Sequence, residues 1–123
     1  MQSDKSKFKE EFNKRVYGFA IEVIDFIEHL PKGQVSTIIG DQLIRSSTSI
    51  GANIIEAKSA ASSKDYTNFF THALKSANET KYWLALLRDS NKVEKGVANK
   101  LIQEVTELSN IIASSTLTLK GKR

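Results

Sequence analysis

The chain has 123 residues, 40% of them hydrophobic and 26% charged, with no cysteine. That length suits one domain around one core, since two cores would each be marginal, and the missing thiols exclude a disulfide framework, a zinc finger and a cysteine nucleophile. A net charge of +4 with a pI near 9.3 permits an acidic partner such as nucleic acid without requiring one.

No apolar run approaches the ~20 residues that span a bilayer. The stretch from Met1 to Lys14 is polar and of mixed charge, without the apolar segment of a secretory signal. No membrane association and a cytoplasmic location are the resulting expectations. Much of the positive charge is terminal, with Lys5, Lys7, Lys9, Lys14 and Arg15 at one end and Lys120, Lys122 and Arg123 at the other.

In chain order, Phe8, Phe12, Val16, Phe19, Val23, Phe26 and Leu30 recur at three- and four-residue steps, which predicts a first helix over about 8–30 with one inward stripe. The only proline stands in Leu30-Pro31-Lys32-Gly33 and marks the first turn. A second helix is predicted over 36–59, with Ile39, Leu43, Ser46, Ile50, Ile54 and Ala57 facing inward. Its small residues Ser46, Ser47, Ser49, Gly51 and Ala52 let a neighbouring backbone come close. After a break at Ser59 to Ser62, the spacing of Ser62 and Asp65 is that of a capping box and starts a third helix, 63–89. Tyr66, Phe69, Phe70, Ala73, Ala77, Leu84 and Leu87 form its core side. The fourth, 93–119, carries Val97, Leu101, Val105, Leu108, Ile112, Ser115 and Leu119, after which the basic tail should fray. Short connections predict a single all-α domain over 1–123, an antiparallel up-down-up-down four-helix bundle.

Apolar residues remain once that core is filled. Tyr17, Ile21 and Ile24 lie off the inward stripe of the first helix, Ile44, Gly51 and Ile55 share a second face of the second, and Tyr82 and Leu86 stand opposite the core on the third. A helix apolar on two sides is usually buried on two sides, so a homo-oligomer packed through these helices is expected.

Two polar lines are candidates for chemistry. Arg45, Ser49, Asn53 and Glu56 follow one another along the second helix at steps of four, four and three, so they project beside the core stripe. Such a line suits an anionic ligand or a charge pair across a subunit boundary, with structural pairing the stronger reading. His72, Ser76, Glu79 and Trp83 make a second line on the third helix. Di-metal bundles need a repeated Glu-x-x-His on facing helices, which is absent, so neither metal nor cofactor is expected. Trp83 reads as packing, with its indole N–H finding a partner at an edge. The serines from Ser46 to Ser49 lack a nucleophile elbow and a histidine base, and the six glycines are scattered singly, so neither acyl transfer nor nucleotide hydrolysis is indicated. No catalytic residue and no enzyme activity are expected. For nucleic acid, Lys58, Lys64 and Lys75 gather near the corner between the second and third helices, a modest patch that symmetry in a ring would multiply.

The stretch Gln42-Leu43-Ile44-Arg45-Ser46-Ser47-Thr48-Ser49-Ile50-Gly51-Ala52-Asn53-Ile54-Ile55-Glu56, followed by Ser62, Asp65, Tyr66, Phe69, Ala73, Ser76 and Glu79, resembles the bacterial four-helix-bundle family of the 23S rRNA intervening-sequence protein. Glu79-Thr80-Lys81-Tyr82-Trp83-Leu84 is similar to one branch of that family. The resemblance implies an up-down bundle assembled into a ring, commonly a homo-pentamer. It also implies relatives encoded within insertions in large-subunit ribosomal RNA genes, and a further relative, the accessory protein of diversity-generating retroelements, that engages nucleic acid and a reverse transcriptase. Arg45, Ser49, Asn53, Glu56 and Glu79 would be signature positions that line a subunit contact. Many members place glycine and basic residues after the glutamate, whereas here Ala57, Ser59, Ala60 and Ala61 fill that corner. The expectation is therefore a non-enzymatic homo-oligomeric scaffold that binds RNA, DNA or a nucleic-acid enzyme. The alternative is a protein-interaction or small-ligand module built on the polar line of the second helix.

Overall fold

In the computed structural model, which describes residues 3–121, four helices follow one another: α1 (Asp4–Glu28), α2 (Gln34–Ala57), α3 (Ser63–Asp89) and α4 (Lys95–Gly121). Met1, Gln2, Lys122 and Arg123 lie outside the described residues.

Local chemistry sets most of the helix ends. The Ser3 hydroxyl accepts the Ser6 N–H at 3.2 Å, so α1 begins at Asp4 and not near Phe8. Phe8, expected in the core, lies two turns before Val16, which faces Gly51, so it stands just past the end of α2 and is 55% exposed. α1 ends at Glu28, ahead of Leu30, whose position before Pro31 disfavours helical backbone. α2 starts at Gln34, two residues earlier than its sequence pattern suggested, because Gly33 turns the chain with φ 152°, a region L-residues rarely adopt. The Gly33 carbonyl then accepts both the N–H and the hydroxyl of Thr37. Ser62 caps α3 as its spacing predicts, its hydroxyl accepting the Asp65 N–H at 3.1 Å. At the other end of α3, Asn91 takes the left-handed conformation (φ 60°) while Asn91 N–H donates to the Arg88 carbonyl and Lys92 N–H to that of Leu87. This is a Schellman closure with asparagine in the place glycine usually holds. α4 starts at Lys95, past the predicted 93, and continues through Gly121.

Each helix touches two others: α1 meets α2 and α4, and α3 meets α2 and α4, while α1 and α3 do not meet. α2 with α3 and α3 with α4 approach most closely. The side chains explain the difference. α1 presents Phe12, Phe19 and Phe26 to the core, whereas the α2/α3 seam is lined by Ser46, Ala73, Ala77 and Thr80, all buried. Leu43, Ile50, Leu84, Leu108 and Ile112 complete the centre and are closed to solvent. Burial of each such side chain contributes about 1.5–3 kcal/mol. The inward stripe of α4 runs through Ala98 and Thr116, so Val97, predicted to face inward, is 46% exposed, and Ser115 is half-buried.

Candidate interaction surface

The polar line on α2 divides. Asn53 donates to the Ser49 carbonyl at 2.8 Å and to the Ser49 hydroxyl at 3.0 Å. Ser76 donates across the seam to the Ser49 hydroxyl at 2.9 Å, and Thr80 donates to the Ser46 hydroxyl at 2.9 Å and to the Ser76 carbonyl. Ser46 and Thr80 are almost fully buried, so this chain of hydroxyls satisfies groups that would otherwise be costly to desolvate. Arg45 and Glu56, from the same line, are exposed, and neither side chain makes a hydrogen bond or ion pair among the described residues. Glu79, the remaining signature position, is likewise exposed and unpartnered there. The structure therefore brings Ser49 and Asn53 into a network with Ser76 and Thr80 and leaves the three charged residues outside it.

The opposite flank of α2 has a different construction. Gly51 brings α1 close: a Cβ placed there would meet Val16 Cγ1 at 3.2 Å, and one at Gly40 would meet Leu30 Cδ1 at 3.3 Å. Outside that contact the two helices form a groove of about 530 Å³ whose walls include Tyr17, Ile21, Ile24, Thr48 and Ile55, with Lys58 at one end. Tyr17 is 71% exposed, Ile55 64% and Ile21 51%. Gly51, read from the sequence as part of a free second face, serves the α1 contact as well as the groove floor. Ile44 is half-buried on the same helix.

Tyr82 stands on α3, 58% exposed, and packs edge-on against Trp83 with ring centroids 5.1 Å apart; Leu86 beside it is half-buried. The acceptor expected for the Trp83 indole is missing: its Nε1 is buried with no hydrogen-bond partner among the described residues. Val35 and Ile38, which the sequence reading did not single out, are also exposed, near the start of α2. Lys58 and Lys64 are exposed at the α2/α3 corner, whereas Lys75, expected there too, is exposed three turns farther along α3, next to Ser76 and level with the middle of α2.

A feature that sequence reasoning missed ties α1 to α4. Arg15 donates from Nε and Nη2 to the two oxygens of Glu104, at 3.1 and 2.6 Å, and from Nη2 to Glu107 at 3.3 Å. Hydrogen bonding to Glu104 chiefly raises the guanidinium pKa and fixes its charge. Near the first turn, His29 Nδ1 lies 2.8 Å from the Asp25 carbonyl oxygen, which with the Asp25 carboxylate raises the imidazole pKa. Among the described residues no group of three or more metal-ligating side chains converges, and no helix is long and apolar enough to cross a membrane.

The sequence profile described as 23S rRNA-intervening sequence protein matches residues 9–114. A solved structure from Bacteroides thetaiotaomicron, described as a protein with unknown function from the S23 ribosomal protein family, is similar at a TM-score of 0.80 and 33% identity, over 85% of this chain and 97% of that one. No protein of curated function matches.

Proposed function

This chain belongs to the 23S rRNA-intervening sequence protein family, and on that premise we propose that it is a non-enzymatic scaffold, an antiparallel up-down bundle that works as a homo-oligomeric ring and engages nucleic acid or a nucleic-acid enzyme. One observation carries the assembly: Tyr17, Ile21, Ile24 and Ile55 line a single open groove. Isolated exposed apolar residues are ordinary, but four large ones along one groove form a contiguous patch of the kind that marks an interaction site. The antiparallel direction is supported by the seam, where the step from Ser46 to Ser49 on α2 corresponds to a step from Thr80 back to Ser76 on α3. The resemblance drawn from residues 42–56 supplies the number five.

Nucleic acid is the favoured partner on charge. Lys64 and Lys75 are three turns apart on α3, and Lys58 adds a third exposed cation at the α2/α3 corner. A ring repeats this set in every subunit, so its field exceeds what one chain's +4 suggests. Mixed-sequence RNA or DNA should bind at low salt with an affinity that falls steeply as salt rises, and each lysine replaced by alanine should lower the salt slope by about one. Undetectable binding at low salt removes nucleic acid as a direct partner and leaves a protein.

A second reading rests on Arg45 and Glu56, which have no partner among the described residues. If they form a small-ligand or protein-docking site, Arg45→Ala abolishes binding and leaves the assembly intact. Loss of assembly instead assigns Arg45 to the subunit boundary.

A further inference from the structure

We infer that the end of the bundle where α1 begins takes an unpaired stretch of nucleic acid, with one base stacked on the exposed ring of Phe8 and phosphates held by the lysines around it. This rests on the nucleic-acid reading proposed above and names the form of nucleic acid and the place it binds.

The chain's excess charge is concentrated. Over residues 15–55 and 66–116, nine lysines and arginines balance nine aspartates and glutamates, so the whole +4 belongs to segments 1–14, 56–65 and 117–123. The fold gathers the described parts of these segments at one end. Gly51 meets Val16 and Gly40 meets Leu30, so α1 starts where α2 finishes and α3 begins. Phe26 and His29 line a cleft with Val93 and Val97 while Arg15 reaches Glu104 and Glu107, so α4 finishes there too. Lys5, Lys7, Lys9, Lys58, Lys64 and Lys120 are thereby brought to that end, all exposed and none paired with a carboxylate among the described residues. Lys14 is tied to Glu10 at 3.7 Å. These seven lysines outnumber the five carboxylates of the same segments, and Lys122 and Arg123 follow in the sequence.

Phe8 stands among these cations. It lies two turns before Val16, level with the α2/α3 corner that carries Lys58 and Lys64, and its ring is left 55% exposed. Lys7 and Lys9 flank it along the chain, and Lys5 lies three residues earlier, one turn away on nearly the same face. A flat aromatic side chain beside several unpaired ammonium groups matches the alternation of base and phosphate along a single strand. In a duplex the base faces are already stacked on one another, so the ring would have nothing to stack on and only backbone charge would be bound. A lipid surface would need a broad apolar face, whereas every other position from Asp4 to Glu11 is polar or charged.

The test titrates the full chain at low salt with labelled oligo(dT), which does not pair with itself, and with the oligo(dT)·oligo(dA) duplex of the same length. Phe8→Leu keeps the bulk and removes the flat face. It should weaken binding of the single strand by about fivefold or more, the contribution of one stacked base, and leave duplex binding unchanged. Phe8→Trp should restore single-strand binding, and the emission it adds to that of Trp83 should be quenched by oligo(dT), a signature that charge alone does not produce. Lys7→Ala and Lys9→Ala should each lower the salt slope of single-strand binding by about 0.7. Both forms binding with no effect of Phe8→Leu, or with an equal loss for the two, overturns the inference and keeps the nucleic-acid reading. No binding of either form at low salt overturns both. Binding to phosphatidylserine vesicles and to neither nucleic acid overturns both as well, and gives this end to a membrane surface.

Discussion

The two flanks of α2 show how one helix is made to face two kinds of neighbour. Towards α3 its polar side chains are absorbed within the chain, as Ser46, Ser49 and Asn53 join Ser76 and Thr80 in continuous hydrogen bonding. Towards α1 it uses glycine for close approach and then leaves Ile55 exposed beside Tyr17 and Ile21. The first flank is closed within the chain, and the second leaves large apolar side chains exposed. Polar residues on a helix thus do not by themselves mark its open side: the hydroxyl-rich side is internal, and the open side is apolar.

Enlarging a buried small residue on the complete flank should do the most damage. Ala77→Leu places a branched side chain where solvent exposure is zero and should cost about 1–3 kcal/mol, read by chemical denaturation. Thr80→Val keeps the shape and removes the donor to Ser46, for a loss of about 1 kcal/mol in the same measurement. A loss as large as that of Ala77→Leu would mean the hydroxyl network governs the seam more than its close packing does.

Away from both flanks, Arg15→Ala removes the bridge from α1 to α4. The side chain is 38% exposed, so solvent screening limits the cost to about 0.5 kcal/mol. Ile55→Ser should change single-chain stability still less, by under about 0.5 kcal/mol, yet shift the mass seen by light scattering towards one chain. Equal effects of Ile55→Ser and Thr80→Val on folding, with unchanged mass, would erase the distinction between the flanks.

The smallest effect belongs to the first turn. Asp25 raises the pKa of His29, first through the carbonyl and then through the carboxylate. A raised folded-state value means the contribution is full below the unfolded pKa, near 6.5, and disappears as pH rises through the folded one. His29→Gln should flatten that slight decline in thermal stability, as measured by melts across neutral pH.

The four helices were legible in the sequence because their signals are local: the three- and four-residue rhythm of Phe12 to Phe26, the turn at Pro31 and Gly33, the cap at Ser62. Phe8 and Val97 were misplaced because periodicity says nothing of where a neighbouring helix stops or which of two adjacent positions at the end of a stripe is covered. The Arg15 bridge was invisible, since its carboxylates lie 89 and 92 residues away. The wheel alone could identify Tyr17, Ile21 and Ile55 as surplus to the core, but it could not divide the polar line. That Ser49 and Asn53 turn into the seam while Arg45 and Glu56 do not depends on Ser76 and Thr80 from another helix.

The central claim is that the α1/α2 face is covered by another copy of the chain, and the mass in solution tests it most directly. For a 13.7 kDa chain, size-exclusion chromatography with light scattering should return a mass of several chains, near five, independent of any added partner. A mass of one chain at the same concentrations would contradict the account, because Tyr17, Ile21 and Ile55 would then stand in water in the working form of the protein.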